Sequence, residues 1–159
     1  PVIRVFAIPL QAFPDYPLSL LRLACSPADP DRRKALKILV VDDDKKLAAE
    51  VANILSRRGH AVDCIDQADQ AVPVAEGGSY DFVLVDYRMP EHDGLWFMKT
   101  VKLPRRTKAL LVTSFVDRNV IRAMFAAGVS GYIIKPFDED ELIRNLAFHS
   151  DRHPVGEIS

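Results

Sequence analysis

Five short segments with strand patterns, separated by segments with helical periodicity, constrain the fold of this chain more than any other feature. They lie within LKILVVDD, HAVDCI, DFVLVD, KALLVTS and SGYIIK, in that order, and HAVDCI alternates weakly whereas the others contain apolar runs. Between them, segments such as KKLAAEVANILSRRG place apolar residues on one helical face. Nearly continuous apolar strands are typical of a parallel sheet that helices cover on both faces. The sequence therefore predicts an α/β fold with five strands and five helices, and it leaves the order of strand pairing open.

Several helices have recognisable ends or interruptions. Gly59 is placed to end the first helix, and Pro73 predicts that the second helix begins late or is kinked. Asp117 is a candidate N-cap of the fourth helix. Asp138, with Glu141 three residues later, predicts a capping box at the start of the fifth helix.

The first 34 residues differ in composition from the rest of the chain. Six of the eleven prolines lie there, at positions 1, 9, 14, 17, 27 and 30, and proline interrupts long regular elements. We expect residues 1–34 to form an irregular arm, either an artificial extension or a fragment of an upstream segment. Residues 35–149 then form one folded domain, and residues 150–159 form a C-terminal tail or linker.

The composition excludes some classes of protein. With 48% apolar and 27% charged residues, the chain resembles an ordinary soluble globular protein. Its net charge of −1 gives no electrostatic reason to expect a nucleic-acid or membrane partner. No run reaches the roughly 18 to 20 apolar residues of a membrane span. Cys25 and Cys64 match no metal-binding spacing, which favours a reducing, cytoplasmic compartment.

Polar residues gather where the predicted strands end. Asp42 and Asp43 follow the first strand, and Asp86 follows the third. Thr113 ends the fourth strand and Lys135 ends the fifth. Because open α/β sheets bind ligands at the carboxyl ends of their strands, these residues are candidates for one site.

Each of these residues also has a simple structural interpretation. Asp43 or Asp44 is well placed to cap the first helix, and Asp86 is a reasonable turn residue. Thr113 is a good strand former, and Lys135 is an ordinary surface residue. The functional interpretation therefore depends on their joint arrangement.

Three carboxylates on one small patch repel each other unless a cation is present. Oxygen ligands without histidine or cysteine suit Mg²⁺. Asp42, Asp43 and Asp86 would together balance one Mg²⁺ and Lys135. A carboxylate can act as a nucleophile and form an aspartyl phosphate, and phosphoryl transfer mainly requires positioning and charge neutralisation. The sequence thus predicts that Asp86 accepts a phosphoryl group, with Thr113 donating a hydrogen bond to it.

Four ordered motifs, ILVVDDD, DFVLVDYRMPEHDG, LLVTS and GYIIKPF, span about residues 36–149. With them the chain resembles the receiver domain of bacterial two-component response regulators. The resemblance implies a CheY-like, flavodoxin-like fold: a doubly wound, five-stranded parallel sheet with five helices on both faces. It also implies that Asp86 is phosphorylated. Asp43 would be a direct Mg²⁺ ligand, Asp42 would assist, and the backbone carbonyl of Arg88 would be a further ligand.

The resemblance implies a conformational switch as well. Thr113 would be the switch hydroxyl, and Tyr132 the aromatic residue that changes rotamer with it. Lys135 would hold the phosphoryl group, and its bond to Pro136 would be cis. The chain's only chemistry would be its own phosphorylation and autodephosphorylation, so it would not be an enzyme acting on a separate substrate.

The partners implied by the resemblance are a sensor histidine kinase or a histidine phosphotransfer protein. The face formed by the fourth helix, fifth strand and fifth helix would contact an output domain or downstream protein, and a homodimer is a further option. Exposed arginines at 118, 122 and 144 are candidate partner contacts.

Three features depart from the family pattern or vary within it. The stretch between Gly94 and Thr113 is short, which predicts a short third helix. Arg88 and Ser114 occupy variable positions near the acceptor, where family members tune dephosphorylation. The segment after KPF lacks the pattern of the OmpR-like subgroup, so the dimer of that subgroup is not expected.

Two alternatives remain open at this point. The stretch VVDDDKKL can be interpreted as the Asp-x-Asp signature of a haloacid dehalogenase-type phosphatase, with Asp42 as nucleophile and Asp44 as acid. That alternative gives Asp86 no role. A receiver-like module that binds partners without phosphorylation is the other alternative.

Overall fold

A computed structural model of the chain describes residues 35–150. The predicted arm at 1–34 and residues 151–159 of the predicted tail lie outside the described residues. The strands are β1 Lys37–Val41, β2 Ala61–Ile65, β3 Phe82–Val85, β4 Lys108–Thr113 and β5 Gly131–Ile134. The helices are α1 Lys45–Arg57, α2 Ala68–Gly77, α3 Gly94–Thr100, α4 Arg118–Ala126 and α5 Glu139–Ser150. Between residues 35 and 150 no helix is long and apolar enough to cross a membrane.

The five strands form one parallel sheet in the order β2-β1-β3-β4-β5. The chain leaves β1 for β2 on one side and then returns to place β3 on the other side of β1. This reversal creates a crevice between β1 and β3 at their carboxyl ends, where α/β sheets of this topology bind ligands. The predicted α/β fold is confirmed, and the strand order is what the sequence alone did not specify.

Helices cover both faces of the sheet, because alternate strand residues enter two separate cores. Leu39 and Val41 of β1 pack in one core with residues of α2, α3 and α4. Ile38 and Val40 pack in the other core with residues of α1 and α5. With both faces buried, β1 and β3 have little exposed surface, which explains their continuous apolar sequence.

The predicted helix ends are largely confirmed. Gly59 follows the C-cap of α1 with φ +86°, a conformation that favours glycine. The side chain of Asp117 accepts hydrogen bonds at the start of α4, and the Asp138 side chain accepts one from Glu141 N–H. Pro73 lies inside α2, which already begins at Ala68, so the expectation of a late start was wrong. The third helix has only seven residues, as its short sequence predicted.

Candidate functional site

An acidic cluster lies at the crevice between β1 and β3. Asp42 and Asp43 follow β1, Asp86 follows β3, and each offers a carboxylate oxygen within 4.8 Å of the other two. Asp42 and Asp86 are buried, whereas Asp43 is exposed. The three carboxylates are hard oxygen donors, and Asp43 exposes the cluster to solvent, from which a divalent cation can enter. Such a group of ligands suits Mg²⁺.

Lys135 is the cation that faces this cluster. Its Nζ lies 2.6 Å from Oδ2 of Asp42 and 3.5 Å from Oδ2 of Asp86. The backbone N–H of Lys135 donates to the carbonyl of Thr113, which ties the end of β5 to the end of β4. The Lys135–Pro136 peptide bond is cis, as the family resemblance implied.

The electrostatic environment of Asp86 opposes its ionisation. Burial is the main cause, and it raises the pKa of the Asp86 carboxyl. Lys135 lowers this pKa, Asp42 raises it, and hydrogen bonds from the Thr113 side chain and the Tyr87 backbone lower it. Because the net direction is upward, the neighbouring lysine does not fully compensate for burial and for the adjacent carboxylate.

Asp44 has a structural role at the start of α1. Its side chain accepts hydrogen bonds from the N–H groups of Lys46 and Leu47, each at 3.1 Å, and it is the N-cap of the helix. The N–H of Asp44 in turn donates to Oδ1 of Asp42 at 2.9 Å. The cap is therefore Asp44 and not Asp43, which leaves the Asp43 carboxylate at the acidic cluster.

The loop after the acceptor is held against α3 by backbone contacts. Gly94 opens α3, and its N–H donates to the carbonyl of Tyr87 at 2.8 Å. The Asp93 side chain caps this helix through Trp96 N–H at 2.8 Å. A Cβ atom added to Gly94 would lie 2.3 Å from the carbonyl oxygen of Asp86. Only glycine allows so close an approach, so α3 positions the backbone of Asp86.

Thr113 and Tyr132, the two residues of the predicted switch, differ in burial. Thr113 is buried, and its hydroxyl accepts a hydrogen bond from Phe115 N–H at 3.1 Å. Tyr132 is exposed, and its ring contacts Phe125 edge to face at a centroid distance of 6.2 Å. The switching roles of Thr113 and Tyr132 stay a prediction.

Sequence reasoning gave no role to the aromatic residues beside the acceptor. The rings of Tyr87 and Phe115 stack at 5.6 Å, and the Arg88 guanidinium lies 4.0 Å from the Phe115 ring centre. Two positions could have signalled this contact, because Tyr87 directly follows Asp86 and Phe115 follows Thr113 by two residues. Their meeting depends on the adjacency of β3 and β4, which the sequence did not specify.

The model of the response regulator receiver domain matches residues 38–147. The chain is 34% identical over 127 residues to the transcriptional regulatory protein TcrA of Mycobacterium tuberculosis, covering 78% of this chain and 49% of that protein. It is 33% identical over 106 residues to the chemotaxis protein CheY of Pseudomonas aeruginosa, covering 64% of this chain and 86% of that one. A structure of the chemotaxis protein CheY4 of Vibrio cholerae aligns with a TM-score of 0.67 and 26% identity, covering 72% of this chain and 98% of that one.

Together, the parallel sheet, the acidic crevice and these matches define a phosphorelay signalling module. The chain belongs to the response regulator receiver domain family. Its role is that of a regulator in signal transduction, and the phosphatase interpretation, with Asp42 as nucleophile and Asp44 as acid, was wrong. The chain spans about half the length of the first curated relatives it matches.

Proposed function

We propose that Asp86 accepts a phosphoryl group from the phosphohistidine of a sensor histidine kinase or of a histidine phosphotransfer protein. The observation that carries this proposal is the convergence of three carboxylates and Lys135 in one crevice. The match to CheY-like proteins supports it, and the burial of the Asp86 side chain argues against a role as a simple turn residue.

The proposed site would hold one Mg²⁺ with the carboxylates of Asp42, Asp43 and Asp86 and with the backbone carbonyl of Arg88. When bound, this cation supplies positive charge that neutralises the carboxylates and the incoming phosphoryl oxygens. With Lys135, the occupied site would be electrically neutral before phosphorylation.

The protein's own groups carry out the transfer. An ionised oxygen of Asp86 attacks phosphorus, a new oxygen–phosphorus bond forms, and the phosphorus–nitrogen bond of the donor histidine breaks. The imidazole leaves with the electron pair of that bond, and it departs as neutral imidazole because its other ring nitrogen carries a proton. Lys135 then holds a phosphoryl oxygen, and the Thr113 hydroxyl donates a hydrogen bond to another.

The phosphorylated state would be transmitted to the face formed by α4, β5 and α5. Movement of Thr113 toward the phosphoryl group leaves space that Tyr132 can enter, which removes an exposed ring from that face. The apolar side chains exposed there are Phe125, Tyr132, Ile134 and Phe148. The helices of this face also carry exposed arginines at 118, 122 and 144. Such a mixed surface suits an output domain, a downstream protein or a second copy of the chain.

The test is the intact mass of the chain after incubation with Mg²⁺ and a small acyl phosphate. We expect wild type to gain the mass of one phosphoryl group, and to gain nothing when the metal is chelated. Asp86→Asn, which keeps the shape of the side chain, should gain nothing. Asp66→Asn is the matched control, because Asp66 also follows a strand but pairs with Lys45 on the surface, and it should behave as wild type.

Two outcomes would contradict the proposal. Phosphorylation of Asp86→Asn would place the acceptor elsewhere. A wild-type chain that binds Mg²⁺ but gains no mass from any acyl phosphate would favour the module that binds partners without phosphorylation.

A further inference from the structure

Three side chains link the loop after β3 to the loop after β4. The guanidinium of Arg88 lies 4.0 Å from the centre of the Phe115 ring, and that ring stacks on Tyr87 with an interplanar angle of 11°. Arg88 is exposed, whereas Tyr87 and Phe115 are half-buried. The cation therefore rests on the ring at the surface, beside the acceptor.

This stack is attached to the proposed switch hydroxyl. The backbone N–H of Phe115 donates to Oγ1 of Thr113 at 3.1 Å, and Tyr87 follows Asp86 directly. Two contacts therefore lead from the neighbourhood of Asp86 to Phe115, the hydrogen bond to the Thr113 hydroxyl and the stacked Tyr87 ring.

Phosphorylation of Asp86 would change the charge that Arg88 experiences. An acyl phosphate carries about two negative charges where the carboxylate carries one. Lys135 already lies between Asp42 and Asp86, so it cannot balance the additional charge alone. Arg88 is two residues from Asp86, so their Cα atoms are at most roughly 7 Å apart. A guanidinium on a side chain of this length can reach a phosphoryl group and bind it with two parallel hydrogen bonds.

A contact between a cation and an aromatic ring at an exposed site is weak by comparison. It corresponds to about a two- to fivefold change in a binding constant, less than a charged hydrogen bond to phosphate provides. The phosphoryl group should therefore win the competition for the guanidinium.

We propose that Arg88 exchanges partners on phosphorylation, leaving the Phe115 ring and binding the phosphoryl oxygens on Asp86. The exchange releases Phe115 and so transmits the charge of the acceptor to the loop between β4 and α4. This inference rests on the proposed function of Asp86. It makes Arg88 a residue that senses the phosphoryl group through its side chain, in addition to the proposed metal contact of its backbone.

The first test is NMR spectroscopy of the Arg88 side chain, with beryllofluoride and Mg²⁺ as the phosphoryl mimic. In the free protein we expect the Arg88 Nε–H resonance to be shifted by the Phe115 ring current. On saturation with beryllofluoride this shift should disappear, and the proton should move to the position of a hydrogen-bonded guanidinium. Because this measurement uses wild type, it does not depend on the folding of a variant.

The second test compares beryllofluoride affinities. Phe115→Leu removes the competing ring, so we expect binding to tighten about two- to fivefold. Arg88→Gln should weaken binding about three- to tenfold. Arg105→Gln is the control for loss of one positive charge, because Arg105 is exposed in the loop before β4, away from the carboxyl edge of the sheet. Its affinity should stay within about twofold of wild type.

The outcomes separate this inference from the function on which it rests. If backbone amides near Asp86 respond to beryllofluoride but Arg88 keeps its ring-current shift, the partner exchange is refuted while the acceptor site stands. Equal affinities of wild type and Phe115→Leu would also refute the exchange. If wild type shows no response to beryllofluoride, both the exchange and the proposed phosphorylation of Asp86 are refuted.

Discussion

Gly94→Ala is the substitution whose effect the structure defines most sharply. Gly94 opens α3 directly against the end of β3. An added Cβ would lie 2.3 Å from the carbonyl oxygen of Asp86 and 3.0 Å from Cα of Tyr87. Both neighbours are backbone atoms, so no side chain can rotate away to make room.

The size of the effect follows from these distances. Cβ atoms essentially never approach heavy atoms closer than 3.0 Å, so helix or strand must move by at least the 0.7 Å between that limit and 2.3 Å. Such overpacking typically costs about 1–3 kcal/mol, and the better helix propensity of alanine returns at most about 1 kcal/mol. We therefore expect the free energy of unfolding to fall by about 1–2 kcal/mol, with a fall in Tm of about 4–8 °C.

The same displacement should affect phosphorylation, because it moves the residue that carries the nucleophile. A misplacement of about 1 Å can cost on the order of 100-fold in rate. We expect at least about tenfold slower phosphorylation by an acyl phosphate, measured by intact mass over time at a temperature where the variant is folded.

Gly77→Ala is the matched control for urea unfolding and for phosphorylation. Gly77 ends α2, and a Cβ added there would meet no heavy atom within 4 Å. We expect this variant to be as stable as wild type or up to about 1 kcal/mol more stable, with unchanged phosphorylation. If Gly94→Ala unfolds at the same urea concentration as Gly77→Ala, α3 does not press on the acceptor backbone, and the argument fails.

Three further predictions concern pH, capping and metal. His60 accepts a hydrogen bond from Leu36 N–H through Nδ1, and burial, followed by the charge of Arg58, lowers its pKa below 6.5. The contribution of His60 to the free energy of unfolding is present above pH 6.5 and is lost as pH falls through the lowered pKa. Between about pH 7 and pH 5 the free energy of unfolding, measured with urea, should therefore fall less in His60→Gln than in wild type. Asp44→Ala should cost about 1 kcal/mol by urea unfolding, because the N-cap of α1 is lost. Mg²⁺ at ten times the wild-type Kd should raise the free energy of unfolding of wild type by about 1.4 kcal/mol. An equally large rise in Asp43→Ala at the same Mg²⁺ concentration would contradict the metal assignment.

The fold was predictable because its signals are local. The strands β1, β3 and β4 are nearly continuous apolar runs. The periodicity of the helices and several helix caps also lie within a few residues. The strand order was not predictable, because it depends on contacts between residues distant in sequence. Once β1 lies beside β3, Asp42 and Asp86 meet, so the site follows from the topology and the positions of the carboxylates.

The choice between Asp43 and Asp44 shows where sequence reasoning about the site stopped. Both residues are acidic and both precede the same helix, so either could cap it. The backbone decides the matter, since the side chain of Asp44 reaches the N–H groups of Lys46 and Leu47. The stack on Phe115 was missed for a different reason: it joins two loops, and loop contacts have no sequence periodicity.

The charges around Asp86 explain why one site would need both a fixed lysine and a divalent cation. Lys135 is closer to Asp42 than to Asp86, and the pKa of Asp86 is raised, chiefly by burial. A carboxyl group whose pKa is higher in the folded than in the unfolded chain adds stability below the pKa of the unfolded chain. This stability is lost as pH rises through the pKa of the folded chain, so ionisation of the group costs folding free energy. A divalent cation held by the three carboxylates would lower the pKa of Asp86 again and so oppose the effect of burial. On the proposed phosphorylation, additional negative charge would enter a site whose lysine is already engaged. The exposed guanidinium of Arg88, two residues from Asp86, is for this reason the group expected to move.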